Sequence, residues 1–273
     1  MSFFKQAKQR YRYSIILLRE LVRYDFKVRY QNSILGYLWS LLRPLFYFLV
    51  MYVVFVKLLR IGSGVPHWPV ALLLGLVMWE FFSEVTKQGL KAIVSNGGLI
   101  RKINFPKYII MVSSSLSSLI NLLLNLVVVA FFVVLNHVPL SWTYLLIPFF
   151  IIELYLFALG ISFLLAALYV KFRDLSFIWE IVMRAGMYAT AVMFPMSRIF
   201  HVSRTAGQVM LLSPIAQIIE DSRHELLPHT MSSSRHLMGN DLLMLVPLSL
   251  VVILLAFGAW YFRRRSPYFA EDV

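Results

Sequence analysis

The feature that most constrains this chain is a series of apolar runs about as long as a helix that crosses a bilayer. Such a helix needs roughly 20 predominantly apolar residues to cross a hydrocarbon core of about 30 Å. The runs are residues 34–56, 68–85, 108–135, 145–170, 175–195 and 242–262. Only 14% of the residues are charged, whereas a soluble domain has about 25%. The sequence therefore predicts an all-α integral membrane protein with six transmembrane helices.

Basic residues are distributed unevenly between the two sides that these six segments define. Eighteen of the 26 Lys and Arg residues precede the first segment, follow the second or fourth, or lie in the C-terminal tail. Only six lie in the connections on the other side. Because cytoplasmic loops are enriched in Lys and Arg, we expect both termini to be cytosolic. The same bias explains the net charge of +13 without nucleic-acid binding.

The N-terminal arm, residues 1–33, has the pattern of an amphipathic helix that lies in the lipid headgroup layer. Its basic face comprises Arg12, Arg19, Arg23 and Lys27, and its apolar face comprises Ile15, Leu18, Val22 and Phe26. The alternative is a cytosolic helix that packs on a partner. We expect residues 1–33 to be an interfacial arm and residues 34–273 to be one transmembrane domain.

Residues 197–241, between the fifth and sixth segments, are not expected to be plain loop. They contain an 11-residue apolar run, 209–219, which Pro214 interrupts. This run is too short to span a bilayer. It predicts a re-entrant or interfacial helix pair that dips into the membrane from the outer side.

Several charged residues lie inside the apolar segments, where a charge is costly and usually functional. Glu180 and Arg184 are four residues apart, in the order that favours an ion pair on one helical face. With Glu153 they indicate either an ion or proton relay or a pair that holds the bundle together. Glu80 and Glu84 are either a carboxylate pair or, more commonly for this position, interfacial residues.

The chain has none of the motifs that supply its own catalytic chemistry. It contains neither a G-x-x-x-x-G-K-[ST] phosphate-binding loop nor an H-E-x-x-H zinc motif. It has no cysteine, and its six His residues show no metal-ligand spacing. We therefore expect no metal and no cofactor in this chain.

Five short motifs, in this order, resemble the membrane subunit of ABC-type polysaccharide and polyol-phosphate exporters. They are KVRYQNSILGYLWSLLRPLF at 27–46, WEFF at 79–82, LIRKINFP at 99–106, ALG at 158–160 and VKFRD at 170–174. Two positions differ from the family pattern. Ser213 replaces the usual Asn before Pro214, and residues 190–195 keep only the last Pro of Ser-Pro-x-x-Tyr-Pro. The second departure leaves the helix geometry near Thr190 open.

This resemblance implies a permease subunit that moves a lipid-linked polymer of the O-antigen, teichoic acid or rhamnan type outward across the plasma (inner) membrane of a bacterium. The chain looks most like the Gram-positive wall-polymer members. The resemblance further implies a homodimer of the permease with two cytosolic ATPase subunits, which hold the ATP and Mg²⁺. The ATPase-contacting residues would be Leu99, Arg101, Lys102, Asn104, Phe105, Pro106, Lys171, Arg173 and Asp174.

Aromatic residues crowd the first segment, and any single one is more often a core residue than a pore residue. Those facing a pore would stack on sugar rings, and the expected polymer path comprises Tyr37, Trp39, Phe46, Phe48, Tyr188 and Phe194. Basic residues expected to attract the lipid pyrophosphate are Arg23, Lys27, Arg29 and Arg43. Two alternatives stay open, an ion-coupled secondary transporter and a membrane-embedded glycan-processing enzyme. The sequence has neither the internal repeat of many secondary transporters nor a clear acid–base constellation.

Overall fold

A computed structural model describes residues 15–24, 27, 38–62, 64–103 and 105–272, and within these ranges the chain is helical, with short turns and no strand. The α-helices are α1 (15–24), α2 (Leu38–Met51), α3 (Trp68–Ser95), α4 (Gly97–Lys102), α5 (Tyr108–Leu135), α6 (Ile147–Tyr169), α7 (Leu175–Ala189), α8 (Met196–Val202), α9 (Arg204–Leu211), α10 (Pro214–Leu226), α11 (Ser234–Met238), α12 (Asp241–Arg265) and α13 (Phe269–Asp272). A π-helical segment, Tyr52–Leu58, continues α2, and a 3₁₀ turn, Trp142–Leu146, precedes α6.

Five helical stretches in the described part of the chain are long and apolar enough to cross a membrane. They are Leu41–Leu58, Trp68–Ser95, Tyr108–Leu135, Trp142–Tyr169 and Leu242–Asp272. They correspond to the predicted segments other than the fifth, which is covered by α7. Because α7 has only 15 residues, it is shorter than the roughly 20 that a spanning helix needs. The all-helical prediction is confirmed, and the sixth crossing stays a prediction.

The bundle is built around α3, which packs against α5 on one side and α6 on the other, while α12 packs along α6. The α6–α12 crossing is close because both helices carry a glycine at the contact. A Cβ on Gly160 would lie 2.7 Å from the Cα of Leu255, and a Cβ on Gly258 would overlap the Gly160 carbonyl oxygen. Only residues without a side chain allow this separation.

The bundle has two chemically different ends. At the end that we call the basic end, α3 and α6 finish and α5 and α7 begin, and a buried cluster joins these elements through Ile93, Phe105, Ile110 and Val170. At the opposite end, α3 begins, α7 finishes and the helices α8–α11 pack. The basic end carries most of the Lys and Arg residues that predict a cytosolic side.

The amphipathic pattern of the arm is visible in α1. Leu17, Leu18 and Leu21 pack against the buried cluster of the basic end, whereas Arg19 and Arg23 are exposed. Lys27 is exposed, and Arg12, Phe26 and Arg29 lie outside the described residues. The arm therefore contacts its own chain through its apolar face.

The segment between α7 and α12 contains four short helices, α8 to α11, rather than plain loop. Pro214 occupies the first turn of α10 and separates α10 from α9, as the interrupted apolar run predicts. Helices thus lie on both sides of Pro214, while the re-entrant or interfacial placement of this segment stays a prediction. Residues 214–223 of α10 are buried, although they include five polar or charged side chains.

Candidate functional site

Two helices, α2 and α7, present polar and aromatic side chains to the outside of the bundle. This α2–α7 face comprises the exposed side chains Trp39, Arg43, Phe46 and Tyr47 of α2 and Glu180, Arg184 and Tyr188 of α7. On α2 the exposed positions recur at steps of three and four residues, so they occupy one side of the helix. On α7 only Met183 and Met187 are buried, so this helix contacts the bundle along a narrow strip.

Direct contacts hold the two helices of the face together and fix them to α3. The Tyr47 hydroxyl donates to the sulfur of Met187 at 3.0 Å. Trp179 Nε1 donates to Thr86 Oγ1 of α3 at 3.1 Å, and a Cβ on Gly186 would lie 2.8 Å from the Trp79 ring. These contacts hold α2 and α7 beside each other and α7 against α3.

The predicted Glu180–Arg184 ion pair is confirmed. Arg184 Nη2 lies 2.6 Å from Glu180 Oε1, and the exposed fractions of the two side chains are 77% and 51%. Two such exposed charges on an otherwise apolar helix are unfavourable against lipid, since insertion of one charge costs about 2.5–3.5 kcal/mol. The pair therefore favours a covered or water-filled environment for this face.

The predicted polymer-path residues do not all lie on the face. Trp39, Phe46 and Tyr188 do, and Phe46 and Tyr188 are each 58% exposed. Phe48 is 6% exposed and packs edge-on against Phe132 of α5, with ring centroids 5.5 Å apart. Phe194 is half-buried beside the α8–α11 helices, and Tyr37 lies outside the described residues. Phe48 thus occupies a core position on the inner side of α2.

The residues predicted to contact the ATPase come together at the basic end. Leu99, Arg101 and Lys102 lie on α4, and Lys171, Arg173 and Asp174 lie in the turn between α6 and α7. The four basic residues, Asp174 and Pro106 are exposed, Leu99 is half-buried and Phe105 is buried. The buried neighbours Ile100, Phe105 and Val170 share one cluster. Asn104 lies outside the described residues. The exposed residues form a surface suited to a partner protein.

Three of the four residues predicted to attract the lipid pyrophosphate lie among the described residues, and Arg29 lies outside them. Arg23 and Lys27 are exposed in the arm, and Arg43 is exposed on α2. Arg43 is close enough to Glu80 of α3 for electrostatic interaction. The three described cations thus belong to two elements, the arm and α2.

A fully buried arginine at the opposite end is the main feature that the sequence interpretation missed. Arg223 of α10 is one of the six basic residues predicted on the outer side, and none of its surface is exposed. Its guanidinium donates to the carbonyl of Ala71 from Nε at 3.0 Å, to that of Ala191 from Nη1 at 3.0 Å, and to that of Val192 from Nη2. The two last carbonyls follow the end of α7. Arg223 thus ties the backbone that follows α7 to α3 and α10.

The surroundings of Arg223 are shaped to hold it. A Cβ on Gly75 would overlap Arg223 Nη2, and the Trp68 ring stacks on the guanidinium at 5.0 Å from the ring centroid. Ala191 adopts a left-handed conformation, φ 53°, that is unfavourable for a residue with a side chain. The Arg223 bond to its carbonyl offsets this strain.

Acidic side chains complete the buried polar cluster. Glu220 Oε2 lies 3.7 Å from Arg223 Nη1, and burial raises the pKa of the Glu220 carboxyl to about 7 although Arg223 opposes the rise. Asp221 accepts hydrogen bonds from Gln217 and from the backbone and hydroxyl of Ser234, each at 2.7–2.8 Å. This network joins α10 to α11 and gives the α8–α11 helices a defined position.

The other intramembrane acids lie in different places. Glu153 is buried in α6 close enough to Asp221 for electrostatic interaction, whereas Glu180 is one and a half turns from the basic end of α7. Glu84 accepts hydrogen bonds from Gln88 at 2.8 Å and from Asn121 of α5 at 3.0 Å. Glu153 and the Glu180–Arg184 pair therefore do not form one continuous relay, and Glu84 joins α3 to α5.

The comparison with known families covers all the features described above except α11 to α13. Residues 16–227 match the family described as ABC-2 type transporter, and this is more than three quarters of the chain. The chain belongs to the ABC-2 type transporter membrane family. The matched region of this ABC-2 family member includes the α2–α7 face, the exposed surface of the basic end and Arg223.

Curated relatives of this ABC-2 family member include O-antigen export permeases and a polysialic acid transport protein. It is 28% identical over 268 residues to the O-antigen export system permease protein RfbA of Myxococcus xanthus, and the match covers 98% of each chain. It is 29% identical over 209 residues to the RfbA permease of Klebsiella pneumoniae, with 76% of this chain and 78% of that protein covered. It is 25% identical over 213 residues to the polysialic acid transport protein KpsM of Escherichia coli, with 75% and 78% covered.

Proposed function

We propose that this chain is the permease subunit of an ATP-driven exporter that moves a lipid-linked cell-envelope polysaccharide outward across the plasma membrane of a bacterium. The α2–α7 face carries this proposal, because it places aromatic rings and an ion pair on the outside of a membrane bundle. The named substrates of the relatives, O-antigen and polysialic acid, support a polysaccharide cargo. Teichoic acid and rhamnan-type polymers fit the same chemistry.

A second copy of the chain is the natural cover for the α2–α7 face. Arg184 and Glu180 are exposed in the single chain, and contact with lipid would cost several kcal/mol. Two copies related by a twofold axis would bring the same face of each chain together. A water-filled path between them would leave both charges hydrated.

The aromatic side chains of the face suit a sugar polymer. Trp39, Phe46 and Tyr188 offer flat apolar rings, which stack on the C–H faces of sugar rings without fixing one register. A polymer that slides needs such repeated, undirected contacts. Tyr47, with its hydroxyl, adds a polar group beside them.

Energy for transport would come from a separate ATPase subunit that holds ATP and Mg²⁺, because the chain has no phosphate-binding loop. We assign the ATPase contact to the exposed residues of α4 and of the α6–α7 turn. This assignment places the basic end and both termini in the cytosol, α7 as the sixth crossing, and α8–α11 in the outer half of the membrane. Motion of the α6–α7 turn would move α7, and with it the α2–α7 face.

Alanine variants on α2 test the role of the face, with a core position of the same helix as the control. Trp39→Ala and Phe46→Ala remove exposed rings and should slow polymer export about 2- to 10-fold at unchanged protein abundance, since an aromatic contact is worth about 0.5–1.5 kcal/mol. Phe48→Ala on the same helix removes a core ring and should instead lower stability by about 3–5 kcal/mol. Export is measured as surface polymer in cells in which the variant is the sole copy.

Two results would contradict the proposal. One is normal export by the double variant Trp39→Ala/Phe46→Ala, which would remove the face from the polymer path. The other is transport of polymer by the chain reconstituted alone, without ATP or a partner subunit. That outcome would favour an ion-coupled carrier instead.

A further inference from the structure

A cavity of about 650 Å³ lies at the basic end, between α3, α5, α7 and the arm helix α1. Its volume is within the range of about 300–1,000 Å³ that is typical of ligand pockets. We call it the basic-end pocket. Its polar lining includes Lys87, Lys91, Asn96, Ser113, Ser114 and Ser176. Among the described residues, the predicted lipid-contacting cations Arg23, Lys27 and Arg43 do not line it.

The charge of the basic-end pocket favours an anion. Lys87 and Lys91 are one helical turn apart on α3, so both ammonium groups project from the same side of the helix. The acidic residue of the lining, Glu180, is already paired with Arg184 at 2.6 Å. Lys87 is also close enough to Glu80 for electrostatic interaction. Two ammonium groups supply six N–H donors, which suit the oxygens of a phosphate group.

The rest of the pocket wall is apolar. Leu21 of α1, Leu90 of α3 and Ile110 of α5 line it, and Trp179 of α7 contributes an aromatic ring. Leu21 belongs to the face of α1 that packs on the bundle, while Arg19 and Arg23 of the same helix are exposed. A ligand that has an anionic head and a hydrocarbon chain matches this division.

We propose that the basic-end pocket binds the pyrophosphate group of the lipid-linked substrate, with Lys87 and Lys91 as its ligands. This inference rests on the proposed export of a lipid-linked polymer. A pyrophosphate that links a lipid to a sugar carries two negative charges at neutral pH, which two lysines match. Glu180 lines both the pocket and the α2–α7 face, so the bound headgroup would lie beside the start of the polymer path.

The direct test is binding of farnesyl pyrophosphate to the purified full-length protein in neutral detergent, measured by isothermal titration. Lys87→Gln/Lys91→Gln should weaken binding at least tenfold. Because both side chains are exposed, the variant should keep the thermal midpoint of the wild type. Arg263→Gln/Arg264→Gln removes the same charge from the same end of the bundle outside the pocket, and it should bind within twofold of wild type.

Three competing ligands separate the sources of the phosphate. Farnesol lacks the anion, inorganic pyrophosphate lacks the chain, and phosphatidylglycerol is an ordinary anionic lipid. Each should bind at least tenfold more weakly than farnesyl pyrophosphate. Equal binding by inorganic pyrophosphate or phosphatidylglycerol would overturn the assignment, as would unchanged binding in the Lys87/Lys91 variant. Surface polymer measured in cells with the wild type and with the same variants separates this inference from the proposed function. Normal binding of farnesyl pyrophosphate by the wild type without any export would refute the proposed function alone.

Discussion

Replacing Arg223 by Met should destabilise the protein by about 4 kcal/mol. The variant leaves the carbonyls of Ala191 and Val192 buried without their donor, at about 1–3 kcal/mol each. Ala71 lies inside α3, where the helix itself supplies its carbonyl with a second donor. Glu220 adds little at neutral pH, because its raised pKa, about 7, rises further without Arg223 and the carboxyl then binds a proton.

A loss of this size should be visible in the thermal midpoint of the detergent-purified protein. At about 2–4 °C per kcal/mol for a chain of this size class, Arg223→Met should melt about 10 °C lower, and Arg223→Lys should fall between it and wild type. Arg198→Met is the matched control, because Arg198 lies in the same outer segment and is exposed. It should melt within about 1 °C of wild type. Equal midpoints for Arg223→Met and Arg198→Met would refute the role of Arg223 in holding the backbone that follows α7.

Two further predictions use the close helix crossing and the α6–α7 turn. Gly258→Ala should lower stability by about 1–3 kcal/mol, measured as a lower thermal midpoint, because its Cβ would overlap the Gly160 carbonyl. Gly98→Ala, which has open space around it, is the control and should leave the midpoint unchanged. A midpoint unaffected by Gly258→Ala would show that the helices separate freely. Arg173→Ala and Asp174→Ala, both exposed, should preserve membrane insertion and ATP hydrolysis by the co-purified ATPase while reducing export several-fold, and normal export in both would exclude this turn from coupling.

Periodicity and hydropathy were sufficient for most of the architecture. The Glu180–Arg184 spacing predicted an ion pair that the structure contains, because residues four apart on a helix are neighbours on its surface. The second apolar segment was expected to end near residue 85, yet α3 continues to Ser95. The added residues include Lys87 and Lys91, which lower hydropathy but favour helix. Hydropathy thus locates the apolar part of a helix and underestimates the length of a helix that extends beyond it.

Burial within the bundle was the property that the sequence could not supply. Phe46 and Phe48 are two residues apart in one aromatic run, and only the packing of α2 on α5 separates an exposed ring from a core ring. The burial of Arg223 was not predictable because Gly75 and Ala191, which form part of its site, are distant from it in sequence. The departure from the family pattern at 190–195 was the one sequence signal of this site. It coincides with the irregular backbone that follows the end of α7 at Ala189 and accepts the Arg223 hydrogen bonds.

In the proposed dimer, the shortness of α7 would set the thickness of the barrier that the exported polymer crosses. Fifteen residues at 1.5 Å each make a helix of about 22 Å, roughly three quarters of a hydrocarbon core of about 30 Å. In the placement proposed above, α10 and its buried cation would occupy, beyond the end of α7, the depth that a longer helix would fill with apolar side chains. A path lined by two copies of α7 would then be narrow over a shorter distance than the bilayer, and its outer mouth would be a depression below the membrane surface. A hydrated chain of sugars would lose its water over that shorter length only.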